Sequence, residues 1–164
     1  MPRTIALVAL ALFVSACNGE DGDTDDTDAG PDLEAALADL TAAMDGYETW
    51  NQSANWQGIQ PSVPGNHEAP YAQIWWNQAA YDTLVAAEGG DMPVGAVSAK
   101  VNYQDEEGTS PTYLFGMQKT DDGWFFALYE ADGSDVVLYS FEDGVSNCYN
   151  CHLEGQDFVM AEEF

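Results

Sequence analysis

The stretch Ala96 to Phe141, AVSAKVNYQDEEGTSPTYLFGMQKTDDGWFFALYEADGSDVVLYSF, decides the fold. It contains four β-type runs: Ala96 to Tyr103, Thr112 to Lys119, Trp124 to Glu130 and Val136 to Phe141. Turn residues separate them: Asp105 to Ser110, Asp121-Asp122-Gly123 and Asp132-Gly133. β-Branched and aromatic residues suit a pleated, half-buried surface, and Asp with Gly supplies the dihedral angles of a tight reversal. Short connections join antiparallel neighbours, so the stretch predicts an antiparallel meander.

Upstream the period changes. Leu33, Leu37, Leu40, Met44, Tyr47 and Trp50 recur at three- and four-residue spacing and share one helical face, with Asp32 as N-cap. Asn51 to Pro70 reads as irregular, punctuated by Gly58, Pro61, Pro64 and Gly65. Ile74-Trp75-Trp76 reads as a short strand, and Gln78 to Glu88 as a helix stopped by Gly89-Gly90. The expected class is α+β: mainly an antiparallel sheet meander with N-terminal helices packed on it. It forms one domain over residues 33–164. Every aromatic residue except Phe13 lies from Tyr47 onward. That suits a domain built round a large flat cofactor, and equally an ordinary β-rich core.

The N-terminus reads as a processing signal. Arg3 precedes an apolar run, Ile5 to Val14, too short for a permanent span. Val14-Ser15-Ala16-Cys17 then resembles a bacterial lipobox. On this reading residues 1–16 are a lipoprotein signal peptide and Cys17 carries the lipid; an ordinary signal peptide with a chance cysteine is the alternative. Several acyl chains anchor a protein stably where one does not. Asn18, which is not Asp, favours the outer membrane of a Gram-negative envelope, facing the periplasm. Residues 18–32, NGEDGDTDDTDAGPD, hold seven acids and nothing aliphatic larger than alanine, so residues 17–32 read as an acidic, disordered tether. Asp21-x-Asp23-x-Asp25 has the opening spacing of an EF-hand loop, but its turn glycine and closing glutamate are missing.

The charge is one-sided: 29 acidic residues against three basic ones. Removing the leader takes Arg3 and leaves only Lys100 and Lys119 as fixed cations. Phosphate backbones repel such a chain, which excludes nucleic acid as a partner. The membrane is reached only through the lipid anchor, and a basic redox partner is attracted.

Past the last predicted strand comes Cys148-Tyr149-Asn150-Cys151-His152, bounded by Gly144 and Gly155. Two thiols at this spacing can add to the two vinyl groups of one haem, with the adjacent histidine as axial iron ligand. The expected cofactor is one covalently attached haem c, held by Cys148 and Cys151 with His152 on the metal. The competing readings are a disulfide and a zinc pair. Zinc wants four ligands, whereas the mature chain offers two cysteines, His67 and His152. The cysteine count agrees with haem: of three, Cys17 goes to lipid and none is left over. Met160 is the only methionine after His152 and lies on the same short segment, badly placed to reach the opposite haem face.

The chain resembles the cytochrome P460 family, which includes the cytochromes called c′-beta. The pieces, in order, are the leading helix ending at Trp50, Gly65-Asn66-His67, Ile74-Trp75-Trp76-Asn77 with Ala80-Tyr81, and Pro93-x-Gly95-Ala96-Val97-x-x-Lys100. Met117-x-Lys119, Gly123-Trp124-Phe125-Phe126, and the haem motif with Asp157-Phe158-Val159 complete them. The resemblance implies a mostly antiparallel β domain and a five-coordinate haem with an open distal side. It implies that Lys100 matches the lysine that bonds covalently to the haem ring in the enzymes of the family. Phe115 stands where those enzymes have a proton-handling glutamate, and Ala72 where they have an arginine. A phenyl ring cannot act as acid or base. The implied pocket is therefore apolar, lined by Phe115 and Lys100, and suited to binding nitric oxide or a related nitrogen-oxide ligand. The alternatives are a hydroxylamine or nitric oxide oxidoreductase with Lys100 tied to the haem, and a plain electron-transfer cytochrome. His67 reads as a distal group or as a structural loop residue. The expected partners are a small diatomic or nitrogen-oxide ligand, a basic redox protein and, in a homodimer, a second copy.

Overall fold

Apolar residues on both sides of the pleat make the central strands a two-faced element. In a computed structural model, which describes residues 30–62, 69–86 and 90–141 and His152, six strands form one sheet. They are β1 (Gln60–Pro61), β2 (Tyr71–Trp76), β3 (Val97–Tyr103), β4 (Pro111–Thr120), β5 (Gly123–Glu130) and β6 (Val136–Phe141). Their spatial order is their chain order, and every pair is antiparallel. This is the meander the sequence predicts, and with two helices the fold is α+β.

Helix α1 (Leu33–Ala43) starts where Asp32 caps it: the carboxylate accepts from the backbone N–H of Glu34 and Ala35, each at 3.1 Å. The expected helix to Trp50 stops early. Gly46 takes φ +70°, the left-handed region glycine enters without steric cost, and a 3-10 turn at Tyr47–Thr49 follows. Tyr47 and Trp50 still pack on the core that Leu40 and Met44 enter, so the apolar face survives the break. The second helix, α2 (Gln78–Leu84), is shorter than its predicted span to Glu88. Strand β2 extends back to Tyr71, and Gln60–Pro61 forms a strand inside the stretch read as irregular, paired with Pro61 opposite Tyr71. Backbone pairing with β2, rather than local propensity, makes β1 a strand, so single-strand patterning misses it.

α1 lies across one face of the sheet. Leu40 and Met44 pack there with Trp75, Val97, Ala99, Val101, Leu114, Phe125, Ala127 and Tyr129. Gly116 permits the close approach, because a Cβ there would collide with the Met44 sulfur and lie 3.2 Å from Leu40 Cδ2. The Thr41 and Tyr129 hydroxyls meet at 3.0 Å, and Tyr139 donates to Glu34, fixing the helix across β5 and β6. Asn77 joins the other helix to the sheet: its Oδ1 accepts from Ala80 N at 3.0 Å and Val97 N at 3.1 Å, and its Nδ2 donates to Gly95 O at 2.8 Å.

Leu40 has no exposed surface. Leu40→Ala is expected to lower unfolding free energy by about 2–5 kcal/mol. Urea denaturation followed by tryptophan fluorescence checks this; a loss under ~1 kcal/mol would mean that α1 is not the cover of this face.

Candidate functional site

Side chains alternate along a strand, so the residues not facing α1 face the other way. Antiparallel register sorts them into rungs. One rung runs Trp76, Ser98, Met117, Phe126, Ser140; the next runs Ile74, Lys100, Phe115, Leu128, Leu138; a third joins Ala72, Asn102, Tyr113 and Glu130. The first is mostly apolar and buried. Trp76, Met117 and Phe126 pack with Trp124, Ala80, Met92 and Ala96, and α2 covers the β2–β3 end.

His152 comes to this face. Its ring centroid lies 5.4 Å from that of Phe126, tilted by 58°, and the residue is half-buried. Lys100 and Phe115 occupy the neighbouring rung as direct cross-strand partners, with Lys100 Nζ 5.7 Å from the Phe115 ring centre. That is within cation–π range. Lys119, on the same face of β4, places Nζ 5.4 Å from the Trp124 ring centre. Lys100 and Lys119, the two lysines of the chain, therefore share the face that receives His152. Lys100 is mostly withdrawn from water, and burial pushes its ammonium down to about 7.

Asn102 is the feature that sequence reasoning missed. Its side chain has no exposed surface, and neither Nδ2 nor Oδ1 has a hydrogen-bond partner. Buried amides are normally satisfied. The available signal was the alternating run Ser98, Lys100 and Asn102, three polar residues on one face of β3 whose other face carries Val97, Ala99 and Val101. Ala72 is directly opposite Asn102 and fully buried.

The structure thus brings Lys100, Phe115 and His152 to one face and sets Ala72 at its margin. Cys17, His67, Cys148, Cys151 and Met160 lie outside the described residues. Among the described residues no group of three or more His, Cys, Asp and Glu side chains could hold a metal ion, and no helix is long and apolar enough to cross a membrane. An open cleft of about 580 Å³ lies elsewhere, between the end of α1 and the β5–β6 turn, lined in part by Met44, Tyr47, Tyr129 and Asp132. It shares no residue with the His152 face.

Haem can be tested against this face. A flat apolar ring needs an apolar aromatic floor, which Trp76, Met117, Trp124 and Phe126 supply. Its iron needs an imidazole, and its carboxylates need donors, which the unpaired Asn102 amide and the lysines offer. The residues fit the group. No family model and no curated protein matches this chain.

Lys100 gives a pH signature. Its folded value, about 7, is below its unfolded value of 10.5, so between them the unfolded chain binds more protons and stability rises with pH. Tyr47 acts oppositely above pH 10: burial first, then Glu48, raises its hydroxyl to about 12, so the folded chain keeps the proton longer and stability falls. The cofactor-free chain should therefore become more stable from pH 7 to about 10 and less stable above it. Lys100→Met should flatten the rise. Urea midpoints across this range decide; an unchanged slope in Lys100→Met would place the effect on another group.

Proposed function

We propose that this chain is a lipid-anchored, c-type haem protein of the bacterial cell envelope that binds nitric oxide or a related small nitrogen-oxide ligand. The observation that carries the reading is that His152, the histidine of the C-x-x-C-H motif, meets Phe126 on the sheet face that also holds Lys100 and Phe115. Residues from β3, β4, β5 and the motif, far apart in sequence, converge on one surface.

Haem bound there supplies an iron that changes oxidation state and can take a small ligand. The protein supplies the rest. Cys148 and Cys151 would hold the ring through thioethers, and His152 would offer a nitrogen to its iron. Trp76, Met117 and Phe126 exclude water, which favours neutral ligands over charged ones. Phe115 contributes bulk and no titrating group, so a ligand beside it finds no carboxylate to take its protons. Cys17 carries the anchor, the acidic segment after it spaces the domain from the membrane, and the domain's negative charge favours a basic redox partner.

A second reading has its own support. Lys100 lies on this same face, and burial lowers its ammonium to about 7, so far more of its amine is unprotonated near neutrality than in an exposed lysine. An unprotonated amine is the nucleophilic form, as attachment to a haem ring in the manner of the P460 enzymes requires. In that case the protein is a hydroxylamine or nitric oxide oxidoreductase.

One spectrum separates the two. The ferrous protein, made in a host that matures c-type haem, is expected to show a high-spin spectrum that changes when nitric oxide is added. A strongly red-shifted Soret band, lost in Lys100→Ala, would mean a lysine-linked haem and the oxidoreductase. A six-coordinate spectrum indifferent to nitric oxide would contradict both and leave an electron carrier.

A further inference from the structure

Asn102 is the one fully buried polar side chain among the described residues whose hydrogen-bonding atoms are all unpaired. It sits in the third strand of a six-stranded sheet, where a valine or alanine would cost nothing in hydrogen bonding. Neighbouring backbone strands bond one another and leave the side-chain amide unserved. Ala72, opposite it on β2, offers only a methyl group. Immediately after Asn102 the β3–β4 register shifts, so Tyr103 faces Pro111 while Asn102 faces Tyr113. Such irregularities re-aim side chains and gather beside binding sites.

Position narrows the partner. Asn102 lies one rung beyond Lys100 and two rungs beyond the one in which Phe126 meets His152. That is roughly 13 Å along the strands and about 10 Å across them. A group whose metal is held by His152 reaches Asn102 with its periphery and not with its iron. Haem carries two carboxylates at its periphery, on the edge away from the vinyl groups that the cysteines take.

Charge narrows it further. With 29 acidic residues and two lysines left after leader removal, few places on this chain accept a carboxylate. The strand segment Lys100–Asn102 is one, since it sets an ammonium and a buried, unbonded amide N–H₂ on one side of the sheet. We propose that Asn102, with Lys100, anchors a haem carboxylate: Nδ2 donates to it, and Oδ1 accepts from the Lys100 ammonium that shares it. This rests on the haem reading above. A carboxylate beside Lys100 also favours the protonated amine, against the burial that otherwise lowers it.

The test uses Asn102→Leu, nearly isosteric and without polar atoms, in chain made with and without haem attachment. Removing an amide that has no partner should raise the urea midpoint of the haem-free chain. Removing a carboxylate anchor should lower the midpoint of the haem-loaded chain, so the sign reverses between the two. A rise in both would overturn the anchor and leave Asn102 a structural oddity. If the haem-free chain shows no cooperative transition, the loaded proteins alone decide. A reduced-minus-oxidised infrared difference spectrum, with the haem carboxylates isotope-labelled, should show their stretching bands displaced in Asn102→Leu. Identical bands in the two proteins would refute the contact. Absence of covalent haem on the wild-type chain is the separate result that removes the parent reading.

Discussion

The structure depends on a sheet whose central strands are apolar on both faces. β3 and β5 bury residues of both alternating sets, so neither face can be left to water. Exposed apolar surface costs about 25 cal/mol per Å², and each face therefore needs a cover. α1 covers one face through Leu40, Met44 and the space that Gly116 leaves. The shorter α2 covers only the β2–β3 end of the other. Beyond α2 this face holds buried Met117, Trp124, Phe126 and Asn102 beside Lys100, and among the described residues His152 packs there against Phe126.

That division explains how one chain separates scaffold from chemistry. The α1 face is closed by side chains packed as in any small domain, with Thr41–Tyr129 and Glu34–Tyr139 contacts holding the helix in place. The opposite face carries features that packing alone does not require: an ammonium withdrawn from water, a buried amide with no partner, and an imidazole against an aromatic ring. In the reading proposed above, each answers a different part of a haem. On that reading metal, ring and carboxylate have their counterparts in His152, Phe126 and the Lys100–Asn102 pair.

Much of the fold was legible in the sequence because its signals are local. The four strands from β3 to β6 are separated by turns rich in aspartate and glycine, and alternation within β3 sorts Lys100 from Val101. The N-cap at Asp32 was legible for the same reason. Helix lengths were not, because the end of α1 depends on Gly46 adopting a left-handed angle within an otherwise helical period. β1 was invisible since two residues carry no period, and only pairing with β2 makes them a strand. At the site, Lys100, Phe115 and His152 were found through motif chemistry and resemblance; that Lys100 and Phe115 share one face follows from register, whereas the arrival of His152 beside Phe126 does not. Asn102 was missed because an asparagine in a strand is unremarkable until its burial and its empty hydrogen-bonding atoms are seen together.

The central claim is that the face opposite α1 is the seat of one haem attached through the C-x-x-C-H motif. The most direct measurement is the intact mass of the chain made in a host with c-type haem attachment machinery, compared with a Cys148→Ala, Cys151→Ala variant. The account predicts that the wild-type chain gains the mass of a single haem that survives denaturation, and that the variant gains none. A wild-type chain carrying no added haem under those conditions would contradict it.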